Sequence, residues 1–277
     1  MNKSHKQRLI IGFSLAPVFL ASAWFGGGWF LAIIALIAVF SQYELLKMVH
    51  YPPRVLMVLT LIVTPLCLLA LHFLHFDLVF LSLLFAAIFT NFSLLFYKDA
   101  EFIKMSFVGL GSVIYPGLSL GTLILLRNIN NISGLSTTVD IGRNIVIGVI
   151  IAVYATDIAA FYVGKLIGKH PLFPSVSPKK TIEGAVGGFI FSCLAMLILW
   201  RIDFIPLFQF FDYLVLALCA GLFGQMGDLV ESKIKREIGV KDSSNILLTH
   251  GGFLDRFDSL AVVAPLFWIF VYIKFFV

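Results

Sequence analysis

An all-α, polytopic membrane helix bundle of about nine transmembrane helices is the fold class this sequence predicts, and three observations predict it. Hydrophobic residues make up 60% of the 277 positions and charged residues only 13%, with a mean hydropathy of +1.01. Soluble domains carry charge at about a quarter of their positions. Apolar runs of roughly 20 residues, the length that crosses a bilayer, recur along the whole chain. These runs are continuous rather than alternating, which excludes a membrane barrel and leaves helices as the only spanning element. No polar stretch is long enough for a separate soluble domain, so residues 1–277 read as one membrane-embedded domain.

Taken in order, residues 1–8 are polar and basic, and residues 9–25 are apolar and end near Ala21-Ser22-Ala23. That opening resembles a signal peptide. However, a second run at 29–46 follows after only the Gly26–Gly28 turn, so the pair reads as a membrane hairpin. Further spans are expected at 55–73, 78–96, 107–126, 145–163, 182–200, 205–226 and 260–272. With the N-terminus inside, every Lys and Arg lies on the inner side except Arg127, Arg143, Arg201 and Lys274. The positive-inside rule therefore places the N-terminus in the cytoplasm and the C-terminus outside. Cys67, Cys193 and Cys219 fall inside apolar runs without CxxC spacing, which supports neither a zinc site nor a disulfide. The net charge of +5 is spread over membrane loops and no nucleic-acid-binding module is present, so an anionic lipid or a nucleotide is the expected partner and no nucleic acid is. His72, His75 and Asp77 read as a solvated outer turn, and Asn131-Ile132-Ser133 as an incidental triplet.

The chemistry is concentrated at residues 227–258, a polar block that holds six of the chain's 15 Asp and Glu. Asp228, Glu231 and Ser232 stand at i, i+3 and i+4 and would share a helix face, and Asp255 and Asp258 repeat the i, i+3 step. Two short acidic faces at the ends of apolar segments suit a hard divalent cation, which takes carboxylate oxygens and leaves room for water and phosphate. Lys233, Lys235, Arg236, Lys241 and Arg256 lie between them and suit phosphate oxygens. His250, Gly251 and Gly252 form a turn poor in side chains.

A second polar stretch, residues 164–183, follows an apolar run containing Asp157. An acidic residue inside a span is costly and usually faces a bundle interior or a polar cavity, which makes Asp157 a functional candidate. Gly164, Gly168 and Lys169 do not form a phosphate loop: the spacing is one residue short, and His170 stands where a Ser or Thr would be needed. Ser177, Lys179, Lys180, Thr181 and Glu183 form the more telling group, with two cations on a turn stiffened by Pro178.

Ser232, Lys235, Arg236, Lys241, Asp242, His250, Gly251, Gly252, Asp255, Arg256 and Asp258 together resemble the C-terminal signature of the phosphatidate cytidylyltransferases, the CDP-diacylglycerol synthases. One position departs: Leu248 stands where that family usually has Pro or Gly. Residues 177–188 resemble the family's second block. The resemblance implies transfer of a cytidylyl group from CTP to phosphatidic acid, giving CDP-diacylglycerol and pyrophosphate in phospholipid biosynthesis. It implies Mg²⁺, with K⁺ as a companion ion, held by Asp228 and Asp255 with Asp258 and Glu231 in support. Lys235, Arg236 and Lys241 are then catalytic candidates beside Asp228 and Asp255. Ser177, Lys179, Lys180, Thr181, Glu183, His250, Arg256 and Asp157 are the candidates for binding substrate. The expected setting is a bacterial inner membrane, with a second copy in a homodimer. Two other readings stay open on residues alone: a CTP-dependent lipid kinase, which would release CDP, and a transporter built around Asp157.

Overall fold

The computed structural model describes residues 16–50, 54–98, 101–133, 139–247 and 251–277. His250, Leu248 and the basic residues 1–8 lie outside them. Helices run at Ala16–Phe25 (α1), Gly27–Met48 (α2), Arg54–His72 (α3), Phe76–Leu94 (α4), Phe102–Arg127 (α5), Ile129–Ser133 (α6), Ile141–Ile167 (α7), Ile182–Arg201 (α8), Phe210–Ile238 (α9) and Leu254–Phe276 (α10). Seven of them are long and apolar enough to cross a membrane. The expected count of nine is therefore not reached among the described residues. Two further apolar helices are shorter, Ala16–Phe25 and Leu56–His72.

The described residues form two compact units. The first holds residues up to Leu125 together with Asp242–Arg256, and the second holds Leu126–Lys241 and Phe257–Val277.

In the first unit, Leu46, Leu56, Leu94 and Met105 form one apolar cluster, and Val63, Cys67, Ala86 and Val113 form another. A polar staple lies among them. Thr64 donates to Gln42 Oε1 at 2.6 Å, and Gln42 Nε2 donates to Ser112 Oγ at 3.1 Å and to the Thr60 carbonyl at 3.2 Å. In lipid such groups have no water to fall back on, so mutual satisfaction is what allows them inside. Helix α5 breaks at Tyr115, which is extended (φ −121°, ψ 117°) before Pro116. A proline removes an N–H and disfavours helical geometry in the residue before it.

In the second unit α7 and α8 pack along a seam of small residues. A Cβ on Gly184 would stand 2.7 Å from the Ala160 carbonyl, one on Gly187 would stand 2.7 Å from the Val163 side chain, and one on Gly188 would stand 2.9 Å from the Thr156 carbonyl. Glycine is what lets the two backbones approach this closely. Between these helices the chain forms a short antiparallel hairpin, β1 (Pro171–Phe173) with β2 (Ser177–Thr181), where the sequence suggested only a polar loop. Thr181 then caps α8, its hydroxyl accepting from the Gly184 N–H at 3.1 Å.

Helix α9 begins later than the apolar run suggests and continues much further. Gln209 and Asp212 form a capping box that sets its start at Phe210. Its middle, Cys219–Gly224, is a π-helical turn, and it closes at Gly239, whose φ of +81° suits glycine. The charged block 228–238 is thus the second half of a helix and not a loop. At the far ends of this unit, Asp212 pairs with Lys274 at 2.8 Å and Arg127 with Asp140 at 2.8 Å.

Candidate active site

Helix α9 carries Asp228, Glu231, Ser232 and Lys235 on successive turns, and α10 brings Asp258 to them. One carboxylate oxygen from each of Asp228, Glu231 and Asp258 can be chosen so that all three lie within 4.8 Å of one another. Glu231 and Asp258 are buried. The approach of α10 depends on Gly227, where a Cβ would meet the Val262 side chain at 2.8 Å and the Asp258 carbonyl at 3.1 Å.

Cations stand against this cluster. Lys180, on β2, places Nζ 2.5 Å from Asp228 Oδ2, and Lys235 places Nζ 2.5 Å from Glu231 Oε2. Ser232 donates to Asp228 Oδ1 at 3.4 Å, and the Ser259 N–H donates to Asp258 Oδ1 at 2.6 Å. Asp157, exposed on α7, lies within Coulombic reach of Asp228, Lys180 and Asp258. Lys180 and Lys235 offset part of the negative charge that these carboxylates can carry. Oxygen-only donors of this kind suit a hard cation rather than a soft one.

Several residues expected at the site have described partners elsewhere. Arg236 donates from Nε to the Val176 carbonyl at 3.2 Å and from Nη1 to the Val240 carbonyl at 3.1 Å, bracing the hairpin turn. Glu183 closes the base of the hairpin, accepting from the Lys169 N–H at 3.1 Å and from His170 through its N–H at 3.2 Å and Nδ1 at 2.6 Å. Asp255 accepts from Ser243 N–H at 3.0 Å and from Gly252 N–H at 2.8 Å, with the Ser243 hydroxyl 3.1 Å away. Lys179, Lys241 and Arg256 are exposed, and Ser177 is half-buried on β2. Glu44 is one residue the sequence reading missed. It is fully buried on α2 and its described partners all lie in the signature loop. The signal was available, because Glu44 stands within the apolar run 29–46, where an acidic residue calls for the same explanation as Asp157 within its span.

A family model described as "Cytidylyltransferase family" matches residues 6–274. The chain belongs to the cytidylyltransferase family. This cytidylyltransferase is 32% identical over 271 residues to the phosphatidate cytidylyltransferase of Bacillus subtilis (strain 168), a match covering 94% of this chain and 95% of that protein. It is 46% identical over 127 residues to the phosphatidate cytidylyltransferase of Staphylococcus saprophyticus and 47% over 126 residues to that of Staphylococcus aureus (strain COL). Those two matches cover 45% of this chain and 48% of each relative. Family membership makes the chain a nucleotidyltransferase, and its long apolar helices make it an integral membrane protein. The lipid-kinase and transporter readings lose their support.

Proposed function

We propose that this enzyme transfers the cytidylyl group of CTP to phosphatidic acid, releasing CDP-diacylglycerol and pyrophosphate. The observation that carries the reading is the three-carboxylate cluster with Lys180 and Lys235 against it, in a membrane-embedded member of a nucleotidyltransferase family. A phosphate oxygen of the lipid attacks the α-phosphorus of CTP, and the bond from that phosphorus to pyrophosphate breaks. The attacking oxygen is already anionic near neutral pH, so the protein needs no activated nucleophile of its own. Its work is to hold two polyanions together and offset their charge.

Asp228, Glu231 and Asp258 are the residues that would hold the divalent ion, for which Mg²⁺ fits best and K⁺ is a fitting companion. Such an ion, when bound, neutralises the nucleotide phosphates and the departing pyrophosphate. Lys180 keeps Asp228 in place and turns an ammonium toward the same space. Lys235, buried beside Glu231, supplies the opposite charge that a buried carboxylate needs. Lys179 and Lys241 are free to meet phosphate oxygens from the surface side, with Ser177, Arg256 and His250 as further substrate contacts. Asp157 lines the polar space on α7. Arg236, Thr181 and Glu183 shape the hairpin that presents Lys179 and Lys180, and Asp255 shapes the loop before α10.

The proposed setting is a bacterial inner membrane, with the N-terminus in the cytoplasm, the C-terminus outside and a homodimer as the working unit. Purified protein given CTP, phosphatidate and Mg²⁺ is expected to release one pyrophosphate for each CDP-diacylglycerol formed. Release of CDP instead, or no turnover of CTP, overturns the assignment. The orientation predicts that Ser175→Cys and Asn245→Cys, both at exposed positions, are labelled by a charged thiol reagent only after the inner face is opened. Labelling of either in intact cells reverses the topology.

A further inference from the structure

Glu44 ends the apolar part of α2 with a carboxylate that is 0% exposed. Its four described partners lie 199 to 210 positions later in the chain. Oε2 accepts from the Ser243 hydroxyl at 2.9 Å and the Leu254 N–H at 2.9 Å, and Oε1 accepts from the Ser244 hydroxyl at 2.6 Å and the Phe253 N–H at 3.0 Å. Two of these donors precede the signature turn and two follow it. The latter pair are N–H groups at the start of α10, which have no partner within the helix and favour negative charge.

The same knot reaches Asp255. The Ser243 hydroxyl lies within reach of both Glu44 Oε2 and Asp255 Oδ2, so its one proton serves either carboxylate at a time. Gly252 fits between them because it has no side chain: a Cβ there would collide with Ser243 Oγ and Glu44 Oε2. Burying a carboxylate is costly unless donors satisfy it, and here the donors come from both ends of one loop.

We propose that Glu44 is a positioning residue for nucleotidyl transfer, an anionic staple that fixes both ends of the loop between Ser243 and Leu254 and thereby sets Asp255 and Arg256 on the first turn of α10. The inference rests on the cytidylyltransferase reading of the chain. It assigns a role to a residue far outside both signature blocks.

The test compares Glu44→Gln, Glu44→Asp and, as a control, Gln42→Leu in the full-length protein. Glutamine keeps the size of Glu44 but turns an amide donor toward two of the four donors. Aspartate keeps the charge and shortens the reach. Gln42 sits on the same helix, and its described partners are Thr60, Thr64 and Ser112 rather than the loop. Pyrophosphate release, melting midpoint and amide hydrogen exchange of residues 242–256 are measured together. Glu44→Gln is expected to lower kcat about 10- to 100-fold, with KM for CTP and lipid shifting far less, and to raise exchange in 242–256 alone. Glu44→Asp should recover part of both losses, while Gln42→Leu lowers the midpoint with kcat unchanged. Wild-type kcat and loop exchange in Glu44→Gln overturn the proposal, as does a general rise in exchange that matches Gln42→Leu. If the unmodified protein does not release pyrophosphate, the reading of the reaction fails, and the exchange measurement still decides whether Glu44 holds the loop.

Discussion

Asp228→Asn and Asp258→Asn should each lower turnover by about a hundredfold or more, because a divalent ion at a phosphoryl centre contributes several kcal/mol and every 1.36 kcal/mol is tenfold in rate. Asparagine matches aspartate in size and still offers an oxygen, so the helices should remain packed. The change removes one negative charge from a group in which Lys180 and Lys235 already offset two. In Asp228→Asn the Lys180 ammonium also loses its partner at 2.5 Å and becomes a repulsive neighbour for any cation. The double variant should be scarcely worse than either single one, since groups that act as a unit lose their effect together. Steady-state rates across a Mg²⁺ titration check this, with the single variants needing more Mg²⁺ for half-maximal activity. Multiplicative losses at unchanged Mg²⁺ dependence would assign the two carboxylates separate roles.

Gly184→Ala should lower the melting midpoint by several degrees, and Gly184→Leu should prevent accumulation of folded protein. Even a single methyl at this position stands 2.7 Å from the Ala160 carbonyl, 3.0 Å from Thr181 Oγ1 and 3.1 Å from Gly164 Cα. Two of those neighbours are backbone, which cannot rotate aside, so α7 and α8 must separate. Overpacking of this kind costs about 1–3 kcal/mol for small additions and more for large ones. Gly111 supplies the contrast: it sits in α5 with nothing within 4 Å of an added Cβ, and Gly111→Ala should be neutral or slightly stabilising. Monodispersity on size exclusion after a temperature series distinguishes the two. A wild-type midpoint for Gly184→Ala would remove the seam as the constraint on this helix pair.

The grouping of Asp228, Glu231 and Ser232 was legible because a helical period operates within five positions, and the Ser232 hydroxyl does reach Asp228. The membrane class was legible because bilayer thickness sets span length whatever else a sequence does. The partners of Arg236 and Glu44 were not legible. Arg236 finds the Val176 carbonyl 60 positions away, and Glu44 finds donors some 200 positions away, pairings that only packing decides. The hydrogen bonds of Asp255 to Ser243 and Gly252 were not legible either, since a carboxylate offered to a cation and one offered to backbone N–H groups have the same one-letter code. The hairpin of residues 171–181 was missed because strands of three and five residues give too little alternation to stand out from a polar loop.

The π-helical turn at Cys219–Gly224 has a consequence for how this site can be altered. Each residue advances an α-helix by about 100°, so the one extra residue that a π-turn accommodates swings everything after it around the axis by roughly that angle. The apolar half of α9, Phe210–Leu218, and its charged half, Gln225–Ile238, therefore have bearings that are decoupled. Removal of one residue from the turn would let it relax to plain α-helix with both bearings kept, whereas a further inserted residue would have to rotate Asp228, Glu231 and Lys235 together, away from Lys180 and Asp258. The helix works as a shaft with an indexed joint: its charged half is aimed, relative to its apolar half, by the count of residues in one turn.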